Sequence, residues 1–203
     1  MGRIRLHSEE TMKTIKTIGR TLMFVVIVIA CVFTLHFYKK QAQAMADVPI
    51  QPNFEYTNNE QFLQNVNQCV DFVYFYDRTL EMVDLDLLLA QAALESGWGN
   101  SRFARVGKNL FGMRTYDLQE PHMLPSNSPK KWGVKVYQHE CDSVAHYIKT
   151  LNNHTLYEKY RELLATGADS LDLVDTLEAY ATDKDYFWKV KSIIKKIRKD
   201  YRD

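Results

Sequence analysis

The sequence lacks an excess of charge of either sign, with 26 Lys and Arg residues against 25 Asp and Glu residues. Residues 1–46 hold seven of the basic residues and two of the acidic ones, so the rest of the chain carries a net charge of −4. Proteins that bind nucleic acid present a basic surface. An acidic body provides no such surface, and we predict that nucleic acid is not a partner.

Cysteine is scarce, with three residues in the chain. Cys31 lies in an apolar N-terminal segment, whereas Cys69 and Cys141 lie in the part that follows it. If that part is exported, it meets an oxidising compartment in which Cys69 and Cys141 could form a disulfide. Their spacing does not decide between a disulfide and two separately buried thiols, and we predict the thiols.

Several catalytic motifs are also missing. His139 and His146 are seven residues apart, whereas the zinc-protease motif needs a spacing of four. The segment from Gly99 to Gly107 lacks both the spacing and the ending of a phosphate-binding loop. No feature supports a nucleophilic pair of Cys141 with a histidine. We therefore predict neither a metal site nor a cofactor.

One long segment has no polar side chain: residues 22–33 read LMFVVIVIACVF, and the apolar character continues through Tyr38. A helix over residues 21–38 would be ~27 Å long, about the thickness of the hydrocarbon core of a membrane. Five basic residues precede the segment and two follow it. We therefore expect residues 1–20 to stay in the cytoplasm and the rest of the chain to be exported.

Two fates are open for this apolar segment. A signal peptide would be cleaved at the small residues of 42–46, whereas an anchor would remain in the inner membrane with the rest of the chain in the periplasm. We favour the anchor because Lys39 and Lys40 lie between the apolar segment and the cleavage site, where charges are unusual. Residues 39–59 are aperiodic and contain two prolines, so we interpret them as a linker.

Residues 60–203 predict one mainly helical domain. Apolar residues at three- and four-residue spacing from Phe62 to Leu80 indicate a long amphipathic helix. A second helix should begin near Asp84 or Asp86, since either acid suits a helix N-terminus, and should end at Gly97. Further helices are predicted from Asp142 to Leu151, from Leu156 to Ala165, from Ser170 to Tyr180 and from Phe187 to Ile197.

Residues 111–137 differ from their surroundings because three prolines interrupt any helix there. Within this segment, residues 131–137, KWGVKVY, alternate like a short strand. We predict a loop-rich lobe with one β-hairpin, inserted after the helix that ends at Gly97.

That helix ends on an acid, in the sequence AQAALESGWGNSRFA of residues 90–104. Glu95 shares a face with the apolar side chains of the helix, so its carboxyl should be partly desolvated and its pKa raised. A carboxyl that is protonated near neutral pH can protonate a sugar leaving group. Gly97 and Gly99 should leave space beside the acid, and Trp98 packed nearby would raise the pKa further, as a tryptophan does in lysozyme.

Spacing alone also fits a simpler interpretation. A glutamate near the end of a helix is usually solvated, and a tryptophan is more often a core residue than a sugar platform. A longer pattern favours the catalytic interpretation.

The stretch AQAALESGWGNSRFA, followed by KNLFG at residues 108–112, resembles the signature of the glucosaminidase domain of glycoside hydrolase family 73. GMRTY, KVY at 135–137 and DSVAHYIKTLNNHTLYEKYREL at 142–163 follow in the order of its Bax-like branch. The resemblance covers roughly residues 60–200. It weakens at 180–186, where Bax-like relatives usually carry a Ser-x-Arg-Gly segment and this chain reads YATDKDY.

The resemblance implies a lysozyme-like, mainly helical α+β fold, with a substrate groove between a helical body and a small β-lobe. It also implies an endo-β-N-acetylglucosaminidase that hydrolyses the N-acetylglucosaminyl-β-1,4-N-acetylmuramyl bond of peptidoglycan, with Glu95 as general acid. This polymer lies outside the cytoplasmic membrane, in agreement with the predicted export. We expect a monomer whose partners are peptidoglycan glycan strands and, through the N-terminal segment, the inner membrane.

The second catalytic group stays open, because members of the family vary there. Asp117, Glu120 and Glu140 are the acids in or near the predicted lobe, and we favour Glu120. The acetamido group of the substrate could also assist, in which case no second carboxylate is needed. The predicted substrate-binding side chains suit sugar rings or acetamido groups, although Trp98 and Phe111 fit the core equally well. They are Trp98, Asn109, Phe111, Tyr116, Tyr180 and Tyr186.

Two other functions compete with hydrolysis. A lytic transglycosylase also relies on one glutamate in a lysozyme-like fold, but it releases anhydromuramyl ends without consuming water. A non-catalytic peptidoglycan-binding protein would have lost turnover, and the presence of Glu95 in an intact motif argues against that.

Overall fold

The computed structural model describes residues 22–43, 48–126, 131–178, 180 and 183–201. The chain divides into two units, one of residues 1–48 and one of residues 49–203.

The first unit contains helix α1, Leu22–Gln43, which is long and apolar enough to cross a membrane, with a mean hydropathy of 2.2 over 18 residues. The helix continues past Lys39 and Lys40, so the predicted linker begins as helix. A signal sequence meets the same criteria, so length and composition do not choose between the two predicted fates. The predicted leader 1–20 and residues 44–46 of the candidate cleavage segment lie outside the described residues.

In the second unit, the described residues confirm a mainly helical fold with a small β-lobe. The helices are α2 (Asn59–Tyr76), α3 (Leu85–Ser96), α4 (Arg102–Arg105), α5 (Glu140–Asn153), α6 (Glu158–Ala165), α7 (Ser170–Leu173) and α8 (Tyr186–Tyr201). The strands are β1 (Arg114–Thr115), β2 (His122–Met123) and β3 (Gly133–Lys135). Two 3₁₀ turns, Thr155–Tyr157 and Val174–Thr176, precede α6 and follow α7.

Helix α3 lies at the centre of this unit and packs against α2, α7 and α8. Nine of its twelve residues are buried, as expected for a helix that is apolar on all sides. Its predicted ends are confirmed. The Asp84 side chain accepts a hydrogen bond from the Leu87 amide at 2.8 Å, and Gly97 ends the helix in the left-handed conformation, with φ of +59°.

A disulfide joins Cys69 of α2 to Cys141 of α5, with 4.8 Å between the two Cα atoms. The prediction of two separate thiols is therefore wrong. Spacing along the chain does not report on which helix faces meet, and the contact between α2 and α5 brings the two buried cysteines together.

Hydrogen bonds explain two of the helix boundaries that differ from the predictions. Helix α2 ends at Tyr76 and not at Leu80, because the Asp77 carboxylate accepts a hydrogen bond from the Thr79 hydroxyl at 2.6 Å and forms a turn. Helix α5 begins before Asp142, which is not the N-cap. His139 is the N-cap, and the Asp142 carboxylate accepts a hydrogen bond from the His139 amide at 3.0 Å.

The helix predicted from Ser170 to Tyr180 is also shorter in the structure. Helix α7 ends at Leu173 and continues only as the 3₁₀ turn that ends at Thr176.

The β-lobe is a three-stranded antiparallel sheet in the order β1-β3-β2. The predicted strand is confirmed as β3, which pairs with both of the others. The predicted hairpin corresponds to the antiparallel pair of β2 and β3, and β1 adds a third strand of two residues, which is too short to show periodicity.

Part of the predicted linker packs on the domain. Phe54 and Tyr56 make edge-to-face contacts with Phe62 of α2. The Tyr56 hydroxyl donates a hydrogen bond to the Gly99 carbonyl at 2.7 Å. Gly99 has a positive φ of +76°, and a side-chain carbon there would overlap Tyr56 and lie 2.9 Å from Phe62. This glycine therefore leaves room for the N-terminal segment.

Candidate active site

A cleft of about 870 Å³ opens at the C-terminal end of α3, between the helices and the β-lobe. Its walls carry charged side chains of both signs and several aromatic ones. The charged residues are Glu95, Arg114, Glu178, Asp183 and Lys189, and the aromatic residues are Phe111, Tyr116, Tyr157, Tyr180 and Tyr186.

Glu95 lies half-buried in this cleft, in the last turn of α3. Burial raises the pKa of its carboxyl group above the ordinary value. A hydrogen bond with Tyr186 and the positive charge of Arg114 act in the opposite direction, but burial has the largest effect. The predicted rise in pKa is thus confirmed.

A chain of buried hydrogen bonds lies behind Glu95. The Tyr147 hydroxyl donates to the Gln91 Oε1 atom, and the Gln91 Nε2 atom donates to the Tyr186 hydroxyl at 2.6 Å. The Tyr186 hydroxyl is hydrogen-bonded to Glu95 in turn. Since Tyr186 accepts from Gln91, its own proton is left to be donated to the Glu95 carboxylate.

Gln91 and Tyr147 are not among the residues for which the sequence predicts a role. Gln91 is completely buried in the middle of a mainly apolar helix, four residues before Glu95. A polar residue at such a position needs hydrogen-bond partners, so the sequence could have predicted that Gln91 is part of a buried hydrogen-bond network. Tyr147 and Tyr186 could not be identified as those partners, because they lie on helices far along the chain.

Gly112 is the glycine beside the acid. Its φ is +65°, and a side-chain carbon built on it would lie 3.5 Å from the Glu95 Oε2 atom. The prediction that Gly97 and Gly99 leave space beside Glu95 is wrong. Gly97 has no atom within 4 Å of such a carbon and serves to end α3, and Gly99 accommodates Tyr56.

Four predicted binding residues line the cleft together with Glu95. Phe111 is buried and stacks on Tyr147, with the ring centroids 4.1 Å apart. The Tyr180 hydroxyl donates to the Phe111 carbonyl at 2.7 Å, and the Tyr180 ring stacks on Tyr186. Tyr116 is 74% exposed on the β-lobe side. Their contacts with a substrate stay predictions.

Two predicted binding residues lie elsewhere. Trp98 packs against Phe62 and Tyr201 and lines a second pocket of about 400 Å³. It lies there because the left-handed turn at Gly97 leads the chain away from the cleft. Asn109 is buried, and its amide nitrogen donates to the Met113 and Lys135 carbonyls. Its polar atoms therefore tie the β-lobe to the body.

The favoured second acid, Glu120, is not among the described residues that line the cleft. Its carboxylate lies 3.0 Å from the Lys135 Nζ atom and accepts a hydrogen bond from the Thr115 hydroxyl at 3.0 Å. Lys135 and Thr115 lower its pKa. Glu140 is buried in an ion pair with Lys108, and Asp117 caps a turn by accepting a hydrogen bond from the Gln119 amide.

The cleft holds two other acids, which are not among the predicted site residues. Glu178 and Asp183 lie before α8 and line the cleft. Asp183 forms an ion pair with Lys189 at 2.5 Å, which lowers its pKa. Asp183 belongs to the 180–186 segment, where the sequence differs from that of Bax-like relatives. This difference could have indicated that the segment has its own role in the cleft.

One cluster of possible metal ligands, Cys69, His139 and Cys141, occurs within the described ranges. Its two sulfur atoms form the disulfide, so they are not thiolate ligands. His146, the other histidine considered above, is hydrogen-bonded through Nδ1 to the Tyr137 hydroxyl at 2.5 Å.

This fold is shared by solved structures of other proteins. The catalytic domain of the autolysin Auto from Listeria monocytogenes matches with a TM-score of 0.52 and 24% identity, over 79% of this chain and 94% of that one. The glycoside hydrolase domain of FlgJ from Salmonella typhimurium matches with a TM-score of 0.50 and 24% identity, over 70% of this chain and 89% of that one.

The family follows from the sequence comparison. Residues 78–199, more than half of the chain, match the glucosaminidase family, which is described as mannosyl-glycoprotein endo-beta-N-acetylglucosaminidase. The chain belongs to this family, and the resemblance inferred from the motifs is confirmed.

Two curated relatives are similar to parts of the chain. Protein bax from Escherichia coli is 34% identical over 91 residues, which are 43% of this chain and 31% of bax. The exo-glucosaminidase LytG from Bacillus subtilis is 27% identical over 128 residues, which are 58% of this chain and 45% of LytG. The chain thus spans less than half the length of either relative.

Proposed function

We propose that this protein is a peptidoglycan hydrolase that cleaves the N-acetylglucosaminyl-β-1,4-N-acetylmuramyl bond, with Glu95 as general acid. The observation that carries the proposal is a carboxyl group with a raised pKa, held in a cleft with aromatic walls and beside a glycine. Membership of the glucosaminidase family supports the same chemistry.

The surroundings of Glu95 fit both halves of a proton transfer. Before the transfer, burial favours the neutral carboxyl, which keeps the proton available for the glycosidic oxygen. After the transfer, the new carboxylate is stabilised by the hydrogen bond from Tyr186 and by the charge of Arg114. Removal of such a general acid lowers the rate by about 10²–10⁴-fold.

Glu120 stays the sequence-based candidate for the second carboxylate. Its lowered pKa keeps it ionised, as a general base or a nucleophile requires, but it contacts Lys135 and Thr115 and does not line the described cleft. A loss of more than about 100-fold in the Glu120→Gln variant would support this role. A loss of less than about fivefold would remove Glu120 and favour assistance by the substrate acetamido group.

We further propose that α1 anchors the protein in the inner membrane, with the glucosaminidase domain in the periplasm as a monomer. The apolar helix and the basic residues before it support this orientation, and the substrate is found on that side. The alternative is a domain released by signal cleavage. The mass of the protein recovered from cell membranes distinguishes the two.

The test is digestion of peptidoglycan by the detergent-solubilised chain and by its Glu95→Gln variant, followed by mass spectrometry of borohydride-reduced products. Reduced N-acetylglucosamine ends from the wild type alone would support the bond and the acid proposed here. Anhydromuramyl ends would indicate a lytic transglycosylase. Binding without any product would indicate a non-catalytic wall-binding protein.

The same digest tests the endo mode. Internal cleavage yields long fragments early in the reaction, whereas the release of single disaccharides from the start would place this protein with LytG, which is named an exo-glucosaminidase.

A further inference from the structure

Arg114 is a cleft residue that the proposed mechanism uses only through its charge. It begins β1, where its backbone pairs with Val134 of β3. Side chains alternate along a strand; that of Thr115 is buried, and that of Arg114 is exposed and lines the cleft. The strand therefore presents the guanidinium to whatever occupies the cleft.

The guanidinium is held flat on an aromatic ring. Its central carbon lies 4.1 Å from the centroid of the Trp132 ring. Stacking of this kind restricts a long side chain and leaves the N–H groups at the edge of the plane available to an acceptor. Arg114 is thus positioned before any ligand arrives.

Arg114 has no ion-pair partner among the described residues. The lysine of the cleft differs, because Lys189 is paired with Asp183 at 2.5 Å. A planar, oriented guanidinium that forms no ion pair with a described residue is suited to a bidentate contact with a carboxylate from outside the chain.

The glycan strand of the proposed substrate offers such a group at one place only. Its sugar rings and acetamido groups are neutral, and its carboxylates are all carried on the lactyl group of the muramyl residue. Without a stem peptide, the lactyl group itself ends in a free carboxylate. When a stem peptide is attached through an amide bond, the carboxylates belong to the peptide.

We propose that Arg114 is a specificity-determining residue that binds a carboxylate carried by the muramyl lactyl group, next to the bond on which Glu95 acts. This inference rests on the proposed function. It also gives the reaction a place in a sequence. If the bound group is the lactyl carboxylate itself, a hydrolysis that removes the stem peptide from its amide bond must supply the substrate.

The test measures dissociation constants in the Glu95→Gln chain, which holds ligands without cleaving them, with and without Arg114→Gln. The three ligands are a neutral β-1,4-linked N-acetylglucosamine tetramer, a bare muramyl-containing tetrasaccharide and the same tetrasaccharide with its stem peptides. Arg78→Gln is the matched control, because Arg78 also stacks on an aromatic ring, that of Phe75 at 4.9 Å, and lies outside the residues that line the cleft.

We expect Arg114→Gln to weaken binding of the anionic ligand that Arg114 recognises by about tenfold. Binding of the neutral tetramer should change by less than about twofold. The affinity for the anionic ligand should also lose part of its dependence on salt. A loss confined to the bare ligand identifies the lactyl carboxylate, and one confined to the peptide-bearing ligand identifies the stem peptide.

Equal weakening for all three ligands, or no weakening for either anionic one, would overturn the role of Arg114. Failure of the Glu95→Gln parent to bind any of the three would instead contradict the proposed function, and the inference would fall with it. Arg78→Gln should leave all three constants unchanged.

Discussion

The two sides of the cleft are built in different ways. On the helical side, Glu95 rests on buried polar groups from three helices, Gln91, Tyr147 and Tyr186, whose hydrogen bonds are made within the protein. On the β-lobe side, Arg114 lies in the two-residue strand β1 and Tyr116 directly follows it, and both side chains are exposed. The helical side fixes the position and protonation of one carboxyl group, whereas the β-lobe side leaves charge and aromatic surface free for a ligand.

Loss of the disulfide should have the largest effect, because it links α2 to α5, the helix that carries Tyr147. The double substitution Cys69→Ser and Cys141→Ser should lower the free energy of unfolding by about 2–5 kcal/mol. Denaturant unfolding measures this, with Cys31→Ser, the exposed cysteine of α1, as the control. A loss below about 1 kcal/mol would mean that packing alone holds α2 and α5 together.

Gln91→Leu should be the next most damaging change. It removes the partner of the buried Tyr147 hydroxyl and one partner of Tyr186, at a cost of about 1–3 kcal/mol for each group left without a hydrogen bond. Turnover should fall as well, since Tyr186 loses the contact that orients it. Thermal unfolding and a peptidoglycan digest provide the two readouts.

The control for Gln91→Leu is Gln64→Leu, which removes an exposed glutamine of α2. Its effect on stability should be below about 0.5 kcal/mol. Equal effects of the two substitutions would show that the buried chain of hydrogen bonds contributes no more to stability than an exposed glutamine does.

Tyr186→Phe should change the pH profile of the reaction. The hydrogen bond from Tyr186 lowers the pKa of Glu95, so its removal should raise that pKa further. A general acid works in its protonated form, and the activity is lost as the pH rises through its pKa. The basic limb of kcat/KM should therefore move to higher pH.

Tyr180→Phe is the control for this shift, because the Tyr180 hydroxyl donates to the Phe111 carbonyl and its ring stacks on Tyr186. The limb should stay in place in this variant. A shift to lower pH in Tyr186→Phe would contradict the assignment of Glu95 as the acid.

The smallest effect is expected on the β-lobe side. Lys135→Gln breaks the ion pair with Glu120, in which both side chains are partly exposed, and the melting temperature should change by less than about 2 °C. Lys108→Gln, which leaves the buried Glu140 without its partner, should lower it more. A large loss of stability in Lys135→Gln would show that the β-lobe is more rigid than its short strands suggest.

The features that sequence could predict are the ones that local chemistry determines. Asp84 and Gly97 set the ends of α3 through contacts within a few residues, and the face of Glu95 follows from helical spacing. The rise in its pKa followed from that face, and the family followed from a motif that lies within about twenty residues around it.

The features that sequence could not predict depend on contacts between distant elements. The orientation of Trp98 depends on the turn at Gly97 and on the positions of α2 and α8. The glycine beside the acid is Gly112, from the next segment of the chain, and not one of its neighbours in sequence. The partners of Gln91 come from α5 and α8, for which helical spacing gives no pairing.

Whether the disulfide between Cys69 and Cys141 forms depends on the compartment in which the chain folds. Such bonds form in oxidising compartments and are rare in the cytosol, so a molecule that failed to leave the cytoplasm would keep Cys69 and Cys141 as thiols, in addition to the free Cys31. Labelling with a thiol reagent after denaturation, followed by mass measurement, therefore counts exported and retained molecules in one sample. If the domain is exported as proposed, the covalent state of these two cysteines reports the orientation of each molecule.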